Sequence, residues 1–259
     1  MSRLLPAIMY ALIGLAGGAL VNYLADVLPI RRKIVQPFCL NCQQLFPIAN
    51  YLFWPQRCEF CGKRRQLRVW VVYLVYILAG LWLSNSTTLA PGRLAGWALL
   101  VYFGVVTVID IEHRLILHPV SLVGACLALF VGISLHGVWR TLAGGAVGFA
   151  AMLLLYGFGL LYGYFVARRR GEQQFEDALG FGDVNLSGVV GLLLGWPGVI
   201  AGIILAILLA GTISLLYVVL MLLRKRYHSS LAIPYGPFLV ASALILLFFR
   251  GNMLALLQP

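Results

Sequence analysis

Apolar residues occupy the chain in long blocks, and short polar stretches between them carry most of the charge. A run of about 20 apolar residues is long enough to cross a bilayer as a helix. Eight such blocks stand out, at roughly 4–28, 69–84, 92–111, 119–136, 141–166, 183–199, 200–223 and 232–250. The 183–223 run holds two helices, with the break at Trp196-Pro197-Gly198, because proline and glycine together interrupt a helix. The first block exceeds the apolar core of a cleavable signal, about 7–15 residues, and only Arg3 lies ahead of it, so it reads as a spanning helix. The predicted fold is an all-α polytopic membrane protein with about eight transmembrane helices and one small polar insert. Three regions follow: a first transmembrane helix (1–28), the insert (29–68) and a larger membrane domain (69–259).

Composition supports a membrane protein. Apolar residues make up 62% of the 259 positions and charged residues 10%, against about 25% charged in soluble domains. The net charge of +11 would suit nucleic acid in a soluble protein. In a membrane protein it has a nearer cause, since basic residues collect in cytoplasmic loops. With the insert placed in the cytoplasm, fifteen Lys and Arg fall on that side and four (Arg3, Arg93, Arg140 and Arg250) outside. The bias predicts both termini outside and a basic face suited to anionic lipid headgroups, with no nucleic-acid partner.

The insert reads CLNC, fifteen residues, then CEFC, giving Cys39, Cys42, Cys58 and Cys61 a zinc-ribbon-like spacing. Each C-x2-C turn presents two thiolates, and four thiolates close a tetrahedral structural site with no open position. A segment this short needs a metal or disulfides to hold its shape. Four free thiols or two disulfides are the alternatives. Cys126 lies alone in an apolar block and reads as packing.

Only eight acids are present, and ionisable groups within spans are costly and mark function. Asp110 closes the third block, in VIDIEHRLI, and Asp183 opens the sixth, in LGFGDVN. The topology puts both at one membrane face, although 72 residues lie between them. Taken alone, Asp183 is as well explained as a helix N-cap. An i,i+4 pair with Arg114 is the plain alternative for Asp110. Two carboxylates brought together share one proton, so that one activates a water and the other polarises a carbonyl. Gly180 and Gly182, lacking Cβ, let a substrate backbone come close. A transporter is the competing class, but its carboxylates would lie near the bilayer midplane in repeated, broken helices, and no internal repeat is visible.

In order along the chain stand GGALVNYLADVLP (17–29), the double CxxC, VIDIEHRLI, LGFGDVNLSG and IPYGPFLVASAL (233–244). In this order the chain resembles the bacterial type IV prepilin peptidases, intramembrane aspartyl proteases of the GxGD kind, over nearly its whole length. The resemblance implies removal of the basic leader from precursors of type IV pilins or type II secretion pseudopilins, at the cytoplasmic face of the bacterial inner membrane. It implies Asp110 and Asp183 as the catalytic pair. It implies S-adenosylmethionine as donor for N-methylation of the new terminus, with the cysteine insert linked to that step. A peptidase without methyltransferase activity is the alternative. Two departures stand out: Ile116-Leu117-His118 replaces the family's Ile-Pro-Asp, and Asn185 replaces a frequent lysine two residues after the second aspartate. The acidic group Glu172, Glu176 and Asp177, just before Asp183, is expected to attract the basic leader.

Overall fold

The structure is a computed structural model that describes residues 4–45, 51, 58, 60–63, 66–85, 91–170, 180–224 and 234–256. Eight helices are present among the described residues: α1 (Leu4–Arg31), α2 (Leu67–Asn85), α3 (Arg93–His113), α4 (His118–His136), α5 (Val138–Arg170), α6 (Phe181–Leu194), α7 (Gly198–Leu223) and α8 (Gly236–Leu256). Six of them, α1 to α5 and α7, are long and apolar enough to cross a membrane. The chain forms two compact units, residues 1–109 and 110–259, so the last turn of α3 belongs to the second.

In the first unit α1 packs on α2. The contact is made by glycines: a Cβ on Gly14 would strike the Tyr76 carbonyl, and one on Gly80 would strike that of Tyr10. Rising numbers on one helix meet falling numbers on the other, so the pair is antiparallel. Small residues let backbones approach where lipid supplies no hydrophobic drive between helices. On α3, Trp97 covers Gly17, and the Tyr76 hydroxyl reaches across to donate to the Leu100 carbonyl at 2.6 Å.

The second unit is built around α6, which packs against α4, α5, α7 and α8. Ten of its fourteen residues are buried, which makes it a core helix rather than a lipid-facing one. Its partner α5 runs antiparallel, with Gly144 backed on Gly191 and Gly148 on Ser187, whose hydroxyl donates to the Gly148 carbonyl at 2.9 Å. At about 1.5 Å per residue, fourteen residues reach roughly 21 Å, short of the ~30 Å hydrocarbon core. The predicted span 183–199 therefore ends early. Gly195 leaves the helix at φ +64°, a region that favours glycine, and a cis Trp196-Pro197 bond leads into α7. The outer helix α7 keeps few residues buried and presents Ile204, Ile207, Leu208, Leu215 and Leu223 outward, as a helix bathed in lipid does.

Candidate active site

Asp110 lies in the last turn of α3, where the chain must leave the helix. Arg114 turns it out at φ +51°, and its N–H closes on the Asp110 carbonyl at 2.8 Å. The Arg114 side chain is exposed, and among the described residues no ion pair joins it to Asp110. Asp110 itself is only 5% exposed, and its Oδ2 has no hydrogen-bond partner among the described residues. A carboxylate buried without its i,i+4 arginine is not the plain surface pair that spacing allows.

Asp183 occupies the third position of α6, not the N-cap, which is Gly180. The two residues are joined reciprocally: the Asp183 N–H donates to the Gly180 carbonyl at 3.0 Å, and the Gly180 N–H donates to Asp183 Oδ2 at 3.3 Å. This arrangement satisfies two of the amides that a helix start leaves free. It also fixes one carboxylate oxygen and leaves the other, Oδ1, buried and unpartnered among the described residues. Asp183 lies within electrostatic reach of Asp110.

Two short segments bring these carboxylates together. Gly182 packs on Ile116, six residues after Asp110; a Cβ at Gly182 would fall 2.7 Å from Ile116 Cβ. The missing side chain of Gly182 thus leaves room for the connection leaving α3. From the other side, Tyr235 and Gly236 open α8. A Cβ on Gly236 would collide with Asp110 Oδ2, and the Gly236 N–H is directed at the same carboxylate. The Tyr235 hydroxyl is buried and unpartnered among the described residues, within electrostatic reach of Asp183. Gly180, by contrast, is open: a Cβ there would meet nothing closer than Asp183 Oδ2 at 3.7 Å.

Asn185 does not join this group. Two residues correspond to a rotation of about 200° on a helix, and Asn185 lines a groove of about 530 Å³ with His118, Ser121, Phe149, Phe181 and Gly188. A cation at this position would face the groove. The acidic group Glu172, Glu176 and Asp177 lies outside the described residues.

In the first unit the four cysteines form one cluster. Cys39 Sγ lies 3.7 Å from Cys61 Sγ and Cys42 Sγ 3.5 Å from Cys58 Sγ, and all four sulfurs fall within 4.8 Å of one another. Both knuckles have the same turn: Gln43 N–H bonds to Cys39 O at 2.8 Å, and Gly62 N–H to Cys58 O at 2.8 Å. Gln43 at φ +58° and Gly62 at φ +66° take matching places. Disulfide sulfurs sit about 2.05 Å apart, so these thiols are unbonded. A tetrahedral ion with bonds of about 2.3 Å sets its sulfurs about 3.8 Å apart, and the cluster fits a metal of that kind. In the thiol form the protons are held unequally. The Lys63 backbone N–H and then the neighbouring thiols bring Cys61 down to about 7. At Cys42 the Gln44 amide lowers the value, but partial burial and the other three thiols outweigh it and push it up to about 12.

One group carries structure that the sequence did not single out. Asp26, buried on α1, pairs with Arg68 and accepts from the Tyr51 hydroxyl, which also donates to Asn22 O at 3.2 Å. The Asn22 amide in turn donates to Val69 O at 3.2 Å. The signal was available, because an acid inside the first apolar block needs a partner.

Comparison with known proteins bears on both units. Residues 97–215, which include Asp110 and Asp183, match the type IV leader peptidase family. The prepilin leader peptidase/N-methyltransferase of Aeromonas hydrophila is 25% identical over 240 residues, covering 88% of this chain and 76% of that protein. The protein of the same name from Aeromonas salmonicida is 24% identical over 209 residues, 80% of this chain and 67% of its own length. That of Stutzerimonas stutzeri is 28% identical over 231 residues, 85% and 72%. No solved structure matches significantly. The all-helical fold, six helices long enough to span a membrane and the place of both aspartates inside the matched region agree with this similarity to the type IV leader peptidase family.

Proposed function

We propose that the protein is an aspartyl endopeptidase that removes the basic leader of type IV prepilins or pseudopilins at the cytoplasmic face of the inner membrane. The observation that carries this reading is that Asp110 and Asp183 lie within electrostatic reach of each other, each with a buried oxygen that has no hydrogen-bond partner among the described residues. Buried polar atoms are nearly always hydrogen-bonded, and exceptions mark places where water or substrate binds. The ionised carboxylate takes a proton from a water as its oxygen attacks the scissile carbonyl carbon. The protonated carboxyl hydrogen-bonds the carbonyl oxygen and then gives its proton to the leaving nitrogen as the C–N bond breaks. The pair acts as a unit, so neither role is assigned to one residue.

The same elements argue against a transporter, whose carboxylates belong in broken helices at mid-membrane. Here one aspartate ends α3 and the other begins α6. The distribution of Lys and Arg supports a cytoplasmic site. Cys39, Cys42, Cys58 and Cys61 would hold a zinc ion that fixes the shape of the insert 29–68, with no part in peptide cleavage. We assign that insert, with S-adenosylmethionine as methyl donor, to methylation of the newly exposed amine, as the names of the relatives suggest. The larger membrane domain, 69–259, carries the peptidase.

Incubating the purified protein with a prepilin and S-adenosylmethionine, followed by mass spectrometry, tests the assignment. Loss of the leader and a gain of one methyl group on the mature product are expected. Loss of the leader alone would leave a peptidase without methyltransferase activity, and an intact precursor would overturn the reading.

A further inference from the structure

We propose that the Tyr235 hydroxyl is a third catalytic group, which hydrogen-bonds the oxygen of the scissile carbonyl while the two aspartates handle water and proton. The inference rests on the aspartyl peptidase reading above and assigns this site a donor beyond the pair. Three polar atoms are buried without partners among the described residues in this one corner of the second unit: Asp110 Oδ2, Asp183 Oδ1 and Tyr235 Oη. Two can be negatively charged and accept; the phenol is the group among them that stays a donor at neutral pH. A bound peptide supplies what all three lack, namely a carbonyl oxygen for the donor and a water held between the carboxylates.

The local chain shows why the hydroxyl stands there. Pro234 and Pro237 flank the Tyr-Gly pair at the start of α8. Glycine at 236 leaves room for the Asp110 carboxylate, since a Cβ there would displace Asp110 Oδ2. The backbone at 236 is therefore held against one carboxylate, and the preceding side chain lies within electrostatic reach of the other. One dipeptide thus addresses both aspartates. Tyr235 Oη makes no hydrogen bond to either aspartate. A phenol serving only to hold Asp183 in place would be expected to donate to Asp183 Oδ1, and that oxygen is unpartnered too.

In the chemical step the attacking water's oxygen bonds to the carbonyl carbon, and the carbonyl π pair moves onto oxygen. The developing oxyanion then receives two hydrogen bonds, from the protonated carboxyl and from Tyr235 Oη. As the C–N bond breaks, the oxyanion pair re-forms the carbonyl and the nitrogen takes the carboxyl proton. Tyr235 begins and ends protonated, so its contribution is confined to the charged species. A donor that acts on charge present only near the transition state raises kcat with little effect on KM.

The test is Tyr235→Phe, which removes one oxygen and keeps the ring, measured on the full chain reconstituted in bilayers with a prepilin substrate. Asp110→Asn and Asp183→Asn are assayed in parallel. Removing an oxyanion donor lowers kcat by about 100-fold or more; that loss, with KM within a factor of about three and an unchanged melting temperature, is the expected result. The pH dependence should keep its limbs, because the hydroxyl does not set the protonation of the pair. A kcat within about twofold of the wild type overturns the inference, as does a shifted pH profile with an unchanged plateau, which would make Tyr235 a group acting only on Asp183. Activity retained in either asparagine variant would instead overturn the aspartyl reading, so the two failures are distinguishable.

Discussion

Gly182 gives the sharpest structural prediction, because two different physical reasons exist for a glycine beside the Asp183 carboxylate. One is close approach of substrate; the other is close packing within the protein. A Cβ at position 182 would fall 2.7 Å from Ile116 Cβ, 3.3 Å from Cγ1 and 3.4 Å from Cα. Ordinary carbon contacts lie at about 3.5–4.0 Å, so Gly182→Ala forces the two backbones apart by about 0.8 Å. Overpacking of this kind costs about 1–3 kcal/mol in stability. The catalytic cost is larger, since Ile116 is joined through a short connection to Asp110, while residue 182 precedes Asp183. A misplacement of about 1 Å in an active site lowers the rate by about 100-fold. The assay is leader removal from a prepilin by the reconstituted protein, run on Gly182→Ala, Ile116→Gly and the double variant. Relieving the contact in the double variant should restore at least tenfold of the lost rate, an interaction energy of about 1.4 kcal/mol or more. Wild-type activity in Gly182→Ala would refute the packing argument. A slow Gly182→Ala that Ile116→Gly fails to relieve would refute it too, and would return the glycine to a role in substrate approach.

Metal analysis of the purified chain should give about one zinc per molecule, and Cys58→Ser should release it and lower the melting temperature; no metal, with disulfides found by mass spectrometry, would overturn the closed thiolate site. Asp26→Ala strands Arg68 beside the first unit's buried network and should cost about 3–5 kcal/mol, read as a drop in the melting temperature in detergent. A double variant with Arg68→Met should recover much of that loss, and strict additivity would argue against coupling. Charge reversal of Glu172, Glu176 and Asp177 should weaken cleavage of a basic-leader substrate more than of one with a neutral leader, and equal effects on both would remove the patch from leader recognition.

Some of this was legible in the sequence because the physics is local. The paired CxxC spacing announces a four-thiolate cluster, since two short turns suffice to gather the sulfurs, and the cluster is present. Block length and the Trp196-Pro197-Gly198 break separated α6 from α7 for similar reasons. What hydropathy could not show is that α6 is short and buried. An apolar run reads the same whether lipid or protein surrounds it, and the glycines that admit α5 so closely look like ordinary apolar-block residues until both backbones are seen. The same limit hid the place of Asp183. Capping preference points to an N-cap, whereas Gly180 takes that place and Asp183 reaches back from the third position. Asp26 and Tyr235 were passed over because their significance lies in partners, or missing partners, that are distant in sequence. Asn185 was weighed beside Asp183 by adjacency, yet helix rotation turns it toward a groove.

The central claim is that Asp110 and Asp183 together cut the peptide bond, and isosteric replacement tests it most directly. Asp110→Asn and Asp183→Asn each keep the side-chain volume, and asparagine at 183 can still accept from the Gly180 amide through its carbonyl oxygen. Both variants should insert and purify with the wild-type melting behaviour. By mass spectrometry of the product, each should leave a prepilin uncut under conditions where the wild type removes the leader completely. Full leader removal by either folded variant would contradict the account.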